Sequence, residues 1–395
     1  MIFDETPRLP QGFLCAATNC GLKAGGAPDL ALFAADRPCT AAAVFTRNHF
    51  PGAPVILGRE RMRAGRLQAV VVNSKVSNVG TGDEGVRRAA AMAAAAAGEL
   101  GIDEALVLPA STGVIGVPLP IERIEAGLSG LAGQLQDDPL VGARGIMTTD
   151  THPKALSLTV ETRDGGTARL AIVAKGAGMI APNMATMLAW IFTDAELGEA
   201  PQLDAILRRT VDDTFNMLSV DTDTSTSDTC ALLASGAAGA VDAEVFEAAL
   251  RELCTRMTEM LARDGEGASR LLRVRVEGAA SRDDARTIAR SLAESPLIKT
   301  MVHGGDPNVG RILMAIGKCV SARIEPQRTQ AWIADRQVVF EGRRAEFDEV
   351  LVRTVLLEDT VEIRVDLGIA DAKSTAWGCD LSHGHVDENA AYYSS

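Results

Sequence analysis

Lys175-Gly-Ala-Gly-Met-Ile-Ala-Pro-Asn-Met-Ala-Thr-Met-Leu188 connects two apolar segments of the chain. Before it, Thr167–Val173 alternates as a strand does; after it, Met187–Phe192 is apolar and reads as a second strand. Gly176, Gly178 and Pro182 prevent either strand from continuing, so the stretch is a bend. Thr186 therefore stands where a new strand begins, a rigid place from which to present a side chain.

Outward from this bend, strands and helices interleave. Gln68–Ser74 (QAVVVNS) has the apolar, β-branched pattern of a buried strand, and Val86–Leu100 is an alanine-rich helix. Ala105–Pro109 reads as a short strand running into the turn-like Ser111-Thr112-Gly113. Downstream, Pro201–Leu218 and Ala243–Arg263 have helical periodicity, and Asp264-Gly265 suits the end of the latter. Leu271–Glu277 and Val361–Leu367 alternate as strands, whereas Asp284–Glu294 and Ala345–Leu357 read as helices. Such mixing predicts an α/β fold of mixed α+β layers, with helices packed on β-sheets. There is no low-complexity linker or short repeat, and composition marks no domain boundary.

Composition narrows the function. Of 395 residues 47% are hydrophobic, enough for a sizeable core, and only 4% are aromatic. The net charge of −13 argues against nucleic acid as a partner, since phosphate recognition needs a basic face. It leaves room for a small acidic substrate held by a local cation. The seven cysteines form no C-x-x-C pair, and their odd number and irregular spacing predict reduced thiols in a cytoplasmic protein. The first residues lack the pattern of a secretory signal, and no apolar run is long enough for a membrane span.

A threonine hydroxyl is a weak nucleophile until a base takes its proton. A threonine at a chain start has such a base in its own α-amine, whose pKa of about 7.7–8.0 lies closer to neutrality than the ~10.4 of a lysine. Thr186 would gain that amine if the Ala185–Thr186 bond broke. Spacing alone favours a plainer explanation, a β-branched residue in a strand.

The segment Lys175–Leu188 resembles the self-cleavage segment of the ornithine acetyltransferases, the bifunctional glutamate N-acetyltransferases. Four further stretches agree in order: Ala110-Ser-Thr-Gly-Val-Ile-Gly116, Ile146-Met-Thr-Thr-Asp-Thr-His-Pro-Lys154, Asp264-Gly-Glu-Gly-Ala268 and Ser295-Pro-Leu-Ile-Lys-Thr300. The tail from Ala376-Trp-Gly-Cys-Asp-Leu381 through Asn389 fits as well, so the likeness spans essentially the whole chain.

That resemblance implies an N-terminal-nucleophile fold and a precursor that cuts itself at Ala185–Thr186. The products would be an alpha chain, 1–185, with the oxyanion-hole side, and a beta chain, 186–395, beginning with the nucleophile. It implies a ping-pong transfer of acetyl from N-acetylornithine to glutamate in arginine biosynthesis, with no cofactor and no metal. It places the oxyanion hole on Thr112 and Gly113, donors worth about 3–4 kcal/mol each in well-studied enzymes. It maps substrate contacts onto Thr148, Lys175, Thr186, Glu266, Asn389 and Ser394. Lys175 would hold a carboxylate or lower the nucleophile's pKa, and Glu266 would take the cationic amine of ornithine. The assembly it implies is a heterotetramer of two alpha and two beta chains, acting on small amino-acid substrates without nucleic acid or membrane.

Some positions depart from the family pattern. Asn73-Ser-Lys-Val-Ser-Asn78 carries Lys75 and Val76 where small or amide residues are usual. Val309, in Asp306-Pro-Asn-Val-Gly-Arg311, and His303 replace aromatics, and Ser394 replaces a frequent threonine. These changes, and an Asp221–Asp228 segment like that of relatives in specialised metabolism, keep open an N-acyl amino-acid hydrolase or another acyltransferase on the same scaffold. An uncleaved binding protein with a degenerate site is the third reading. Asp221, Asp223 and Ser225 start like a calcium loop, but its glycine and closing glutamate are missing. His383 and His385 with Asp380 and Asp387 match no zinc spacing, and neither a dinucleotide fingerprint nor a phosphate loop is present.

Overall fold

The computed structural model describes residues 1–181 and 187–390. The fold is α/β, and the chain divides into two compact units. One is Met1–Gly176, Pro182–Asn216 and Thr224–Met257; the other is Ala177–Ala181, Met217–Asp223 and Thr258–Ser395. Each unit thus takes chain from both sides of Ala185–Thr186.

The first unit is built on a nine-stranded sheet. Its order is Ile2–Phe3, Lys154–Glu161, Thr167–Lys175, Leu188–Glu196, Thr229–Ala240, Leu30–Phe45, Arg66–Asn73 and Val107–Ser111, with Phe13–Thr18 also paired to Leu30–Phe45. Two pairs are parallel, Leu188–Glu196 with Thr229–Ala240 and Arg66–Asn73 with Val107–Ser111. The second of these encloses the alanine-rich helix Gly82–Leu100, as a parallel connection requires. Gly101, left-handed at φ 67°, ends that helix.

The apolar run in Arg66–Asn73 follows from burial on both faces. Val70 and Val72 join Phe33, Trp190 and Phe192 in one core. Ala69 and Val71 face the other way, toward Leu32 and the helix residues Met92, Ala93, Ala96 and Ala97. Alternate side chains of one strand thus feed two cores, and small alanines let the helix approach closely. Helix Pro139–Ile146 covers the first core, adding Ala143 and Ile146.

The second unit holds a seven-stranded sheet, ordered Arg343–Arg344, Arg336–Phe340, Gln330–Ile333, Thr360–Asp366, Leu271–Ala279, Ala372–Cys379 and Leu218–Ser219. Helix Arg282–Glu294, with Ser281 accepting from Asp284 N–H at its start, packs on Leu271–Ala279 and Ala372–Cys379.

Several boundaries differ from the sequence expectations. The strand expected at Ala105–Pro109 begins at Val107, because Asp103 accepts from Ala105 N–H and caps a short turn at Glu104–Leu106. The helix expected to reach Leu218 stops at Asp213: the Thr214 hydroxyl bonds back to Thr210 O at 2.7 Å, and Leu218–Ser219 is drawn into the second sheet. The helix expected from Ala345 starts at Glu349, where Asp348 accepts from Val350 and Leu351 N–H. After helix Ala243–Arg263 the left-handed residue is Gly267, at φ 69°, and not Gly265. All seven cysteines are free thiols. Among the described residues, no helix is long and apolar enough to cross a membrane.

Candidate active site

In the first unit the segment that decides the fold springs from a hydrogen-bonded strand pair. Lys175, the last residue of Thr167–Lys175, is the register partner of Leu188, the first of Leu188–Glu196. The bend is therefore the connection of an antiparallel pair, anchored at both ends. Ala185 and Thr186, the expected cleavage site and nucleophile, lie outside the described residues, as does Ser394.

Thr112 and Gly113 follow the strand Val107–Ser111. Thr112 N–H donates to Asn73 O at 3.0 Å, and Val114 N–H to Lys75 O at 2.9 Å, so both neighbours of Gly113 are clamped. Gly113 N–H itself meets no partner among the described residues. Gly113 has φ 129°, and a Cβ there would lie 2.1 Å from the Lys75 carbonyl carbon, so only glycine fits. Lys75 holds a left-handed φ of 77°, a conformation that favours the small residues usual at this place.

Lys175 Nζ donates to Thr112 Oγ1 at 3.0 Å, and both side chains are buried. A lysine ammonium only donates, so the Thr112 oxygen accepts and the hydroxyl's own proton points elsewhere. Thr112 O–H and Gly113 N–H together make a pair of donors backed by a cation.

Asp150 fixes the main chain and lysines around it. Its carboxylate takes Lys154 Nζ at 2.7 Å, Gly176 N–H at 2.7 Å and Thr148 N–H at 2.9 Å. Burial alone would raise its pKa, but the Lys154 and Lys175 charges and these hydrogen bonds outweigh that and hold it at about 2. Thr148, half-buried, is thereby placed by the same acid that fixes the base of the bend. Lys23 donates to Met147 O at 2.7 Å; burial lowers its pKa, the Asp29 and Asp150 charges oppose that, and the Lys175 and Lys75 charges act with burial.

The second unit carries Glu266 and Asn389. Glu266, buried, accepts from Asn389 Nδ2 at 2.8 Å, and its N–H donates to Ala177 O at 2.9 Å. A Cβ on Gly178 would lie 2.2 Å from the Glu266 carboxyl carbon. The second glycine of the bend is thus glycine because a carboxylate rests against its Cα. Asn389 is brought to Glu266 by helix His383–Ala390, seated where Gly267 backs onto His385 and Gly384.

Asp221 has a structural task here. It accepts from Met179 N–H at 2.5 Å and Ile180 N–H at 2.9 Å, bracing the bend, while burial raises its pKa. Among the described residues no cluster of histidine, cysteine and acids has the form of a metal site. Asp380, considered with the two histidines, instead accepts from Ser269 Oγ at 2.6 Å and pairs with His303 Nδ1 at 2.8 Å. In the sequence Asp150 and Lys154 stand out only as members of the Ile146–Lys154 stretch, and Asp221 only as the start of the Asp221–Asp228 segment with its incomplete calcium loop.

The α/β fold thus carries, at the end of Val107–Ser111, a Thr–Gly turn whose hydroxyl accepts from a buried lysine. The ArgJ family model matches residues 14–394. The chain is 45% identical over 391 residues to an arginine biosynthesis bifunctional protein ArgJ of Rhodococcoides fascians, covering 98% of this chain and 96% of that one. It is 43% identical to the glutamate N-acetyltransferase Oat2 of Streptomyces clavuligerus, covering 98% and 99% respectively. A crystal structure of ArgJ from Bacillus halodurans superposes with a TM-score of 0.50 at 34% identity, covering 52% of this chain and 100% of the solved one. The chain belongs to the ArgJ family.

Proposed function

We propose that this protein is a glutamate N-acetyltransferase that opens its own Ala185–Thr186 bond and then carries acetyl from N-acetylornithine to glutamate on Thr186. The observation that carries this reading is the Thr112–Gly113 donor pair, with Lys175 bonded to Thr112 Oγ1 at 3.0 Å.

In this mechanism the freed α-amine of Thr186 takes the hydroxyl proton as Oγ attacks the acetyl carbonyl carbon. Negative charge gathers on the carbonyl oxygen and is met by Thr112 O–H and Gly113 N–H. The C–N bond of N-acetylornithine breaks, its nitrogen takes the proton, and ornithine leaves an acetyl ester on Thr186. The α-amine of glutamate attacks that ester, and the hydroxyl is restored as N-acetylglutamate departs. Glu266, held by Asn389, takes the side-chain ammonium of ornithine; Lys175 and Thr148 line the carboxylate side, and Ser394 belongs to the same substrate set. Ping-pong turnover lets one pocket serve donor and acceptor in turn.

The names borne by relatives at 43–45% identity support a transferase over the hydrolase of specialised metabolism. A whole solved chain of the family is matched by 52% of this one, which supports division into fragments each about half the length. The mature assembly proposed is two copies of 1–185 with two of 186–395. Product analysis tests the activity: acetyl should pass to glutamate, with release of free acetate far slower. Equal acetate release with and without glutamate contradicts it.

A further inference from the structure

The first unit holds an open cavity of about 540 Å³ that the mechanism above does not use. Small-molecule sites span roughly 300–1,000 Å³. Its floor is a run of alanines, Ala41–Ala43, in the strand Leu30–Phe45. Side chains no larger than a methyl group leave the space above the strand unfilled. One wall is the first turns of helix Ala200–Asp213, which packs on that strand. The other is the end of helix Ala53–Arg61 with the turn Met62–Ala64. The walls meet at Gly65: a Cβ there would lie 2.5 Å from Ala200 Cβ, and its φ of 64° also favours glycine.

Charge in this cavity runs against that of the chain, whose net is −13. Arg59 and Arg63 stand on one wall and Arg208 on the other, and among the described residues Asp204 is the single acid of the lining. Asp204 takes Arg208 Nε at 2.6 Å, which leaves both Nη groups of Arg208 uncommitted. Arg59 gives Nη2 to Thr46 O and pairs with no acid among the described residues. Arg63, exposed, forms neither a hydrogen bond nor an ion pair among them. Two guanidinium groups thus lack a counter-charge at a recess that also offers Phe45 and Met62 as apolar surface. A guanidinium presents a planar fork that matches a carboxylate through two parallel hydrogen bonds. Solvated surface arginines have no need of a recess, whereas a bound anion does.

We propose that this cavity binds a small organic anion carrying two or more carboxylates on a short carbon frame. Arg59 and Arg63 take one carboxylate and Arg208 another, while the carbon frame lies over the alanine floor, Phe45 and Met62. Basic groups on two walls with an apolar floor between them favour such a ligand over a compact inorganic anion, which has no carbon frame to set there. The ligand binds without covalent change. The site stands apart from the acetyl-transfer reading and survives or fails independently of it.

Titration calorimetry with citrate on the full chain, beside sulfate at matched ionic strength, tests the proposal. Citrate should bind with Kd at or below about 1 mM, and sulfate about tenfold or more weaker. Arg63→Glu reverses the charge of the unpaired arginine, and Ala64→Trp obstructs the same rim through a different, exposed residue. Each should weaken citrate about tenfold or more, while kcat and KM for acetyl transfer without citrate stay within about twofold of the unaltered values. The two variants alter different positions, so a folding defect in one, read as a lowered melting temperature, leaves the other to decide. Three results overturn the proposal. Citrate that fails to bind at about 10 mM removes the site. Sulfate bound as tightly as citrate reduces it to an adventitious ion only. Citrate bound undiminished by a folded variant places that ligand elsewhere on the protein.

Discussion

Lys175 Nζ donates to Thr112 Oγ1 at 3.0 Å across a buried contact, so the threonine oxygen accepts there and its own proton is directed to another partner. Beside it Gly113 N–H is uncommitted among the described residues. Donors fixed before reaction act on charge that develops only in the transition state, and they need not reorganise. Thr112→Val keeps shape and β-branching but removes the hydroxyl. It should lower kcat by about 10²–10³-fold with little change in KM or melting temperature. Thr112→Ser should recover most of the loss; a KM effect alone would assign Thr112 to substrate binding.

Asp150 gathers Thr148, Lys154 and Gly176 around one carboxylate, making its first effect one of stability. Asp150→Asn leaves Lys154 buried without its counter-charge and should cost about 3–5 kcal/mol at neutral pH, read by denaturant unfolding. The pH dependence has a definite sign. The folded pKa of about 2 lies below the ordinary carboxylate value of 3.8, so the contribution is complete above about pH 4 and fades as pH falls toward 2. The stability gap between the unaltered protein and Asp150→Asn should therefore narrow below about pH 4. A gap constant down to pH 3 would contradict the charge-based account.

Glu266 and Gly178 should behave as one device, because the carboxylate leaves no room for a Cβ on the glycine. Glu266→Gln keeps the shape and removes the charge. KM for N-acetylornithine should rise about tenfold to a hundredfold, the range of a charged hydrogen bond, while the glutamate half-reaction changes little. Gly178→Ala should reproduce that selectivity by displacing the carboxylate. Equal damage to both half-reactions would place Glu266 elsewhere in the chemistry.

Gly113→Ala meets the Lys75 main chain at 2.1 Å and cannot hold φ 129° without strain. Turnover should be lost at least as fully as in Thr112→Val, with a lowered melting temperature as the distinguishing sign. Normal turnover would mean that the turn is not the oxyanion site.

Much of the frame was legible because periodicity reports burial. QAVVVNS reads as a strand apolar on both faces, and it lies between two cores. Helix Ala243–Arg263 keeps the bounds its pattern suggested. The errors fall where a short polar side chain redirects the main chain: Asp103 and Asp348 as caps, Thr214 bonding back to Thr210. Periodicity does not register such local bonds, nor the long-range pairing that takes Leu218–Ser219 to Trp377–Gly378. In the site, Thr112 and Lys175 were visible through motif resemblance, and Glu266 and Asn389 likewise; the structure joins each to a partner. The bracing roles of Asp150 and Asp221 were not, because an acid that holds main-chain N–H groups looks in sequence like any other acid.

The central claim is that the amine exposed at Thr186 makes its hydroxyl an acyl carrier. Brief exposure of the protein to N-acetylornithine without glutamate, followed by mass spectrometry of the fragments, tests it most directly. The account predicts one acetyl group, bound through oxygen, on the first residue of fragment 186–395, and its disappearance when glutamate is added. An undivided, fully active chain, or acetyl on any other residue, would contradict it.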